Sequence, residues 1–154
     1  MIQVSVKSIG DPCGPVLDGF RQYLAAPDTG NDRLLKAALK SAMIAVQEWE
    51  DRSLLPETIA VVVAARPDPR APITLYRTVS KIVSVTDADG KPLDYSHCGR
   101  LLQVTGPCRN AEVVYETAVD QADVEALLLK VYRVAAARYD GEDAQTINRI
   151  IMEG

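Results

Sequence analysis

The chain has 154 residues, of which 47% are hydrophobic and 25% charged, and its formal net charge is −4. That length suits one domain with its own core and is short for two, and the composition is ordinary for a soluble globular protein. The acidic balance, with Lys and Arg scattered instead of gathered into a basic arm, argues against general nucleic-acid binding, although an acidic protein can surround DNA if its lumen does not grip the phosphates.

Residues 1–10 alternate Ile2, Val4 and Val6 with polar neighbours, which predicts a short strand or ordered arm. They lack the apolar core and cleavage site of a signal peptide. No stretch reaches the about 20 apolar residues that cross a bilayer, so the expected compartment is the cytoplasm or a particle assembled there. Pro15 suits the first turn of a short helix running to Tyr23 or Leu24. Pro27 to Asp32 then reads as a polar loop ending in an N-cap. From Asp32 to Asp51, Leu35, Leu39, Ala42, Val46 and Trp49 share one helical face, with Leu34, Ala38 and Met43 beside them. Lys36, Lys40, Gln47 and Glu50 take the other side, and Pro56 is expected to stop the helix.

The period then changes. Ile59 to Val63 is β-branched, and Arg66 to Pro72 is a proline-rich loop. Lys81 to Thr86 reads as a strand entering the turn Asp87-Ala-Asp-Gly90. Leu101–Thr105 and Glu112–Tyr115 are expected to form a further strand pair around Gly106-Pro107. The last long helix starts near Asp120 and presents Val124, Leu127, Leu128, Val131, Ala135 and Tyr139 on one broad face, ending at Gly141. Ala144 to Met152 adds a short helix with Ile147, Ile150 and Ile151 as its apolar side. The expected class is therefore α+β, mainly α: a helical bundle of two long and one or two short helices with a small antiparallel hairpin or sheet insertion.

Little here assembles chemistry. Cys13, Cys98 and Cys108, with His97, lack the close ligand pairs of a zinc site and fit reduced thiols better than a disulfide framework. Position twelve from Asp87 is Cys98 where a calcium loop needs Glu, and the flanks read as strands, so Asp87–Gly90 is a turn. His97 lies in a Ser-His-Cys-Gly loop without an elbow or oxyanion motif. No catalytic, cofactor-binding or metal residue is assigned, and no cofactor is expected. Trp49 and Tyr132 are expected to pack in the core. Ile44 and Ala45 on the first helix, and Leu129 and Val134 on the second, lie off the main stripes, which suggests a subunit interface beyond the private core. Leu128→Asp is expected to abolish folding by burying a charge.

The order of these elements resembles the head–tail connector (adaptor, or head-completion) proteins of long-tailed bacteriophages and prophages. In that family a short helix and acidic loop, here Leu24-Ala-Ala-Pro-Asp, lead to a helix closed by an Arg-x-Leu phrase, here Asp51-Arg52-Ser53-Leu54. A proline-led strand segment ending in Asp-x-Asp-Gly follows, here Pro72-Ile-Thr-Leu-Tyr and Val79 to Gly90, and later Val113-Val-Tyr115. The closing helix is similar to Ala126 to Asp140, with the family's Tyr and Arg order exchanged. The likeness spans roughly Val16 to Asp143; a departure is Tyr115-Glu-Thr-Ala118, where the family has a glycine.

The resemblance implies a single connector-like domain over residues 1–154, with an N-terminal arm at 1–10 and a C-terminal tail at 144–154. It implies a structural, non-enzymatic protein of the virion neck, assembled in the host cytoplasm. There it would form a homo-oligomeric ring, twelve-fold in the particle, that joins the portal protein to the tail or its stopper and extends the channel through which DNA passes. It involves no membrane and no sequence-specific DNA contact. The arm and tail, Met1–Ile9 and Thr146–Gly154, would order when the ring closes. Two rival readings remain: a small enzyme or ligand-binding domain using the β-rich middle as a pocket, and a mostly β virion part such as a stopper or tail terminator.

Overall fold

The computed structural model describes residues 1–25 and 32–153, so the expected loop at 27–31 lies outside it. The described residues form β1 (Ile2–Ile9), α1 (Gly14–Leu24), α2 (Asp32–Glu50), β2 (Glu57–Val63), β3 (Ile73–Thr74), β4 (Val79–Thr86), β5 (Tyr95–Cys98), β6 (Leu101–Val104), β7 (Ala111–Thr117), α3 (Gln121–Tyr139) and α4 (Ala144–Met152). This is the expected α+β class, with two antiparallel sheets in place of one small insertion. Two compact units divide the chain: a β unit of Met1–Ile9 with Pro56–Ala118, and a helical unit of Gly10–Leu55 with Val119–Gly154. The chain therefore leaves the β unit after β1 and returns to it only at β2.

In the helical unit, α2 and α3 pack along their apolar stripes. Leu35, Leu39, Ala42, Met43 and Val46 of α2 are buried, as are Val124, Val131, Tyr132, Val134 and Ala135 of α3. Phe20 of α1 is fully buried and stacks on Tyr132 with ring centroids 5.7 Å apart. The Tyr132 hydroxyl donates to the Val16 carbonyl at 3.0 Å, and Gly19 is the residue that leaves room for it, since a Cβ there would collide with that hydroxyl. Asp120 caps α3 by accepting from the Ala122 N–H at 2.9 Å. At the other end Gly141 takes φ +75°, the Gly141 N–H donates to Arg138 O at 3.2 Å, and the Glu142 N–H donates to Ala137 O at 2.9 Å. This is a Schellman closure. Asp143 caps α4 at the Thr146 N–H, 2.8 Å away, and Ile147 and Ile151 are buried.

Several sequence expectations change here. Helix α2 ends at Glu50, well before Pro56: Asp51 adopts φ +53° and the Arg52 N–H reaches back to Gln47 O at 3.2 Å. Gln47, placed on the polar side by its period, is fully buried. Its side-chain oxygen accepts from the N–H groups of Leu54 and Leu55 at 3.0 and 3.2 Å, which satisfies the turn that leaves the helix. Trp49 is not core: it is 53% exposed. Val134, read as spare surface, is fully buried, whereas Leu128 is only half-buried, so the charge test belongs at Val134.

The β unit is built from sheet β1-β2-β7-β4 and sheet β3-β6-β5. They share one core of Ile59, Val61, Val63, Val85, Val113 and Tyr115 from the first and Ile73, Leu102 and Val104 from the second, with Leu75 beside β3. The expected pair of Leu101–Thr105 with Glu112–Tyr115 does not form. Instead β6 pairs with β3 and β5, and β7 lies between β2 and β4, so Gly106-Pro107 is a crossover between sheets instead of a hairpin turn. Tyr115 supports the exit from β3: its hydroxyl accepts from the N–H groups of Tyr76 and Arg77 at 2.9 and 3.2 Å. The proline-rich loop is held by Arg66, which donates to the carbonyls of Cys108 and Ala71, and by Arg109, which donates to Arg66 O at 2.7 Å. Asp87–Gly90 is the expected turn, with Gly90 at φ +81° and the Asp87 carboxylate accepting from Asp89 and Lys91 N–H at 2.9 Å each.

Candidate assembly surfaces

The residues that the sequence raised for chemistry are not brought together. Cys13 belongs to the helical unit and is exposed; His97 and Cys98 lie on β5, in a strand instead of the expected loop, and are exposed. Cys108 is buried after β6 with its sulfur 3.2 Å from Asn110 O, and all three cysteines are free thiols. Among the described residues no three His, Cys, Asp or Glu side chains gather closely enough to hold a metal. Nor is any described helix long and apolar enough to cross a membrane.

The titrating groups that depart from their ordinary behaviour have structural causes. The hydrogen bond to Lys40, then its charge, lowers the Asp11 carboxyl, and the backbone N–H of Thr146 does the same for Asp143. Burial raises the phenols of Tyr115 and Tyr132. The hydrogen bond to Asp32 raises the Arg21 guanidinium, so the five shifted groups among the described residues belong to two ion pairs, a helix cap and two core tyrosines.

Apolar surface is what stands out. On α2, Leu34, Ala38, Ser41, Ala45 and Trp49 follow the spacing i, i+4, i+7, i+11, i+15, which puts them in one stripe roughly 120° around the helix from the buried one. Leu34 is 61% and Trp49 53% exposed, while Ala38, Ser41 and Ala45 are half-buried. Two shallow cavities open along this side within the helical unit. One, of about 530 Å³, is lined by Leu34, Ala38, Ser41, Arg138 and Tyr139; the other, of about 450 Å³, lies over Ala37, Ile44 and Ala45. The expectation of a second apolar side thus holds for Ile44, Ala45 and the 65% exposed Leu129. The ends of the stripe are not evident from the helical period, because Leu34 and Trp49 border the core positions on the helical wheel.

A second apolar surface lies on β1. Ile2, Val4 and Val6 pair with Val63, Val61 and Ile59, so their side chains project from the same face of the sheet as the core. Those partners are sealed, while the three β1 residues are exposed. Beside the start of the strand, Ile2, Val63, Pro67, Pro72 and Ile73 line a cavity of about 390 Å³.

Chains in solved structures share this fold. One, in the neck of an empty gene transfer agent particle computed with C6 symmetry, superposes with a TM-score of 0.64 at 14% identity, covering 88% of this chain and 83% of that one. Another, in the virion of a native gene transfer agent particle, gives 0.65 at 14% identity over 97% and 93%. A third, in the neck of a native gene transfer agent particle computed with C12 symmetry, gives 0.58 at 18% identity over 86% and 83%. No family model and no curated protein matches the chain. At these identities, what is shared is the fold.

Proposed function

We propose that this chain is a structural subunit of a phage-type neck, forming a ring that joins the portal of the DNA-filled head to the tail or its stopper. The observation that carries the reading is the fold shared over 88% and 86% of the chain with chains of neck structures computed with C6 and C12 symmetry, and over 97% of it with a chain of a virion. The α2 stripe supplies a physical reason for association. From Leu34 to Trp49 it runs about 22 Å along the axis at about 1.5 Å per residue, and its apolar ends are 61% and 53% exposed. A ring closes through a heterologous contact, in which a patch on one copy meets a different patch on the next. The net charge of −4 suits a channel that lets DNA slide without gripping it. On this reading the protein performs no reaction, and it works at the particle neck, following assembly in the host.

The ligand-pocket alternative has less support. The cavity beside β1 does not include His97, and its two charged lining residues are engaged: Arg66 with backbone carbonyls and Asp68 with the Arg70 N–H at 3.0 Å. Negative-stain microscopy of the protein mixed with the portal protein of its own gene cluster tests the proposal. A symmetric ring of density capping the portal is expected, and Leu34→Glu with Trp49→Glu should abolish it while leaving the monomer folded. A wild-type protein that stays monomeric and leaves the portal bare would overturn the reading.

A further inference from the structure

The two edges of the four-stranded sheet are built differently. On the β4 edge, register shifts fall between Val79 and Lys81 and between Ile82 and Ser84. The segment after the turn then covers it: Thr86 bridges Pro92, and the Leu93 N–H donates to Val85 O at 2.9 Å. Bulges, an edge lysine and a covering strap are the devices by which edge strands refuse further strands. From Ile2 to Val6, β1 has none of them: its register shift comes between Val6 and Ser8, and its one charge is Lys7.

Backbone geometry makes that edge specific. Met1 and Ala64 exchange both backbone hydrogen bonds, each 2.9 Å. Antiparallel alternation then gives Gln3 and Ser5 to the ladder with β2, and turns the N–H and C=O groups of Ile2, Val4 and Val6 outward. Ile2, Val4 and Val6 also carry the uncovered apolar side chains, 68%, 42% and 44% exposed. Outward donors and acceptors and a stripe that continues the core therefore coincide on the same three residues.

We infer that the outer edge of β1, from Ile2 to Val6, is a strand-addition site for an extended segment of another neck protein, one with apolar residues at three alternate positions. The choice of partner rests on the ring reading above. Pairing β1 with β1 of a second copy needs a two-fold axis normal to the sheet, which neighbours in a cyclic ring do not share. A ring neighbour cannot offer β4, whose edge is covered. Its β3 is two residues long, and its β5 alternates Tyr95 and His97 with Ser96 and Cys98, so neither supplies three apolar side chains in register. An added strand would hydrogen-bond the outward backbone groups and cover the stripe, with its end over the cavity at Ile2 and Pro72.

The test uses the full chain and a fluorescein-labelled peptide, Lys-Thr-Val-Thr-Ile-Thr-Val-Thr-Lys. Anisotropy should report saturable binding, and amide exchange at Ile2, Val4 and Val6 should slow on binding, while Gln3 and Ser5 are protected with or without peptide. Val4→Pro removes an outward N–H and trims the middle apolar side chain while sparing every donor of the ladder with β2, so the variant should stay folded and still cap the portal, yet bind the peptide at least about tenfold more weakly. Equal affinity of Val4→Pro, or no binding at about 1 mM peptide, overturns the inference. So do amides at Ile2, Val4 and Val6 already protected in a free protein whose light-scattering mass is that of two chains, the signature of a β1–β1 pair. A wild type that builds rings on the portal without binding the peptide sinks this inference alone, whereas failure to build rings sinks the reading beneath it.

Discussion

The helical unit and the β unit keep spare apolar surface in different ways. In the helical unit the centre of the α2–α3 packing is sealed, with Leu39, Val46, Val134 and Ala135 at 0% exposure, and the surplus sits chiefly on a second side of α2 that the core does not use. In the β unit the surplus is the unfinished rim of the core itself, since Ile2, Val4 and Val6 continue the face whose centre is Val61 and Val113. Helices can carry two independent apolar stripes because 3.6 residues per turn leaves room around the cylinder; a strand has only two faces, and in β1 the other one carries Gln3, Ser5 and Lys7, so its spare surface extends the core. A contact through the first is side chain against side chain, whereas a contact through the second also engages backbone.

The two units are most sensitive to substitution at the centres of their cores. Val134→Asp and Val113→Asp each bury an uncompensated charge, a penalty of several kcal/mol, and each should yield insoluble protein or a lost cooperative melt by circular dichroism. Next comes a paired truncation on one helix. Leu39→Ala should cost about 2–5 kcal/mol in denaturant unfolding, and Leu34→Ala less than about 0.5 kcal/mol; similar costs for both would mean that the two stripes are not separate. In the β unit, Tyr115→Phe leaves the Tyr76 and Arg77 N–H groups without their acceptor, at about 1–3 kcal/mol, and amide exchange should rise around β3 and not in α3. Gly141→Ala forces a Cβ into a left-handed position and should cost about 1 kcal/mol by thermal melting. The smallest effect is electrostatic. Because the folded Asp143 carboxyl is lowered from its ordinary 3.8, its contribution is complete above that value and is lost as pH falls through the lower folded one. Amides in the first turn of α4 should exchange faster below that range, and Asp143→Asn should remove the pH dependence.

What the sequence reveals follows the range of the interactions. The stripes of α2 and α3, the cap at Asp120, the stop at Gly141 and the turn at Asp87–Gly90 are written within a few residues of where they act. Strand pairing is not. Leu102 meets Ile73 and Val113 meets Val61 across long separations, and nothing local at Gly106-Pro107 distinguishes a hairpin from a crossover. Gln47 escaped because its partners lie beyond the helix end, where a wheel has no positions. Trp49 escaped because size argues for burial, and only the neighbouring elements decide it. Of the two surfaces, the alternation of Ile2, Val4 and Val6 was plain, but that β1 is an edge without cover is a property of the assembled sheet.

The interleaved path of the chain sets a schedule on the ribosome. β1 leaves the exit tunnel before its ladder partner β2, which follows only after roughly fifty more residues, a wait of about 2–10 s at typical elongation speeds. During that interval an alternating apolar strand is exposed with no sister strand beside it, so β1 is an aggregation-prone segment of the nascent chain. Growth temperature and chaperone supply should therefore affect soluble yield through Ile2, Val4 and Val6, and polar replacements there should weaken that dependence.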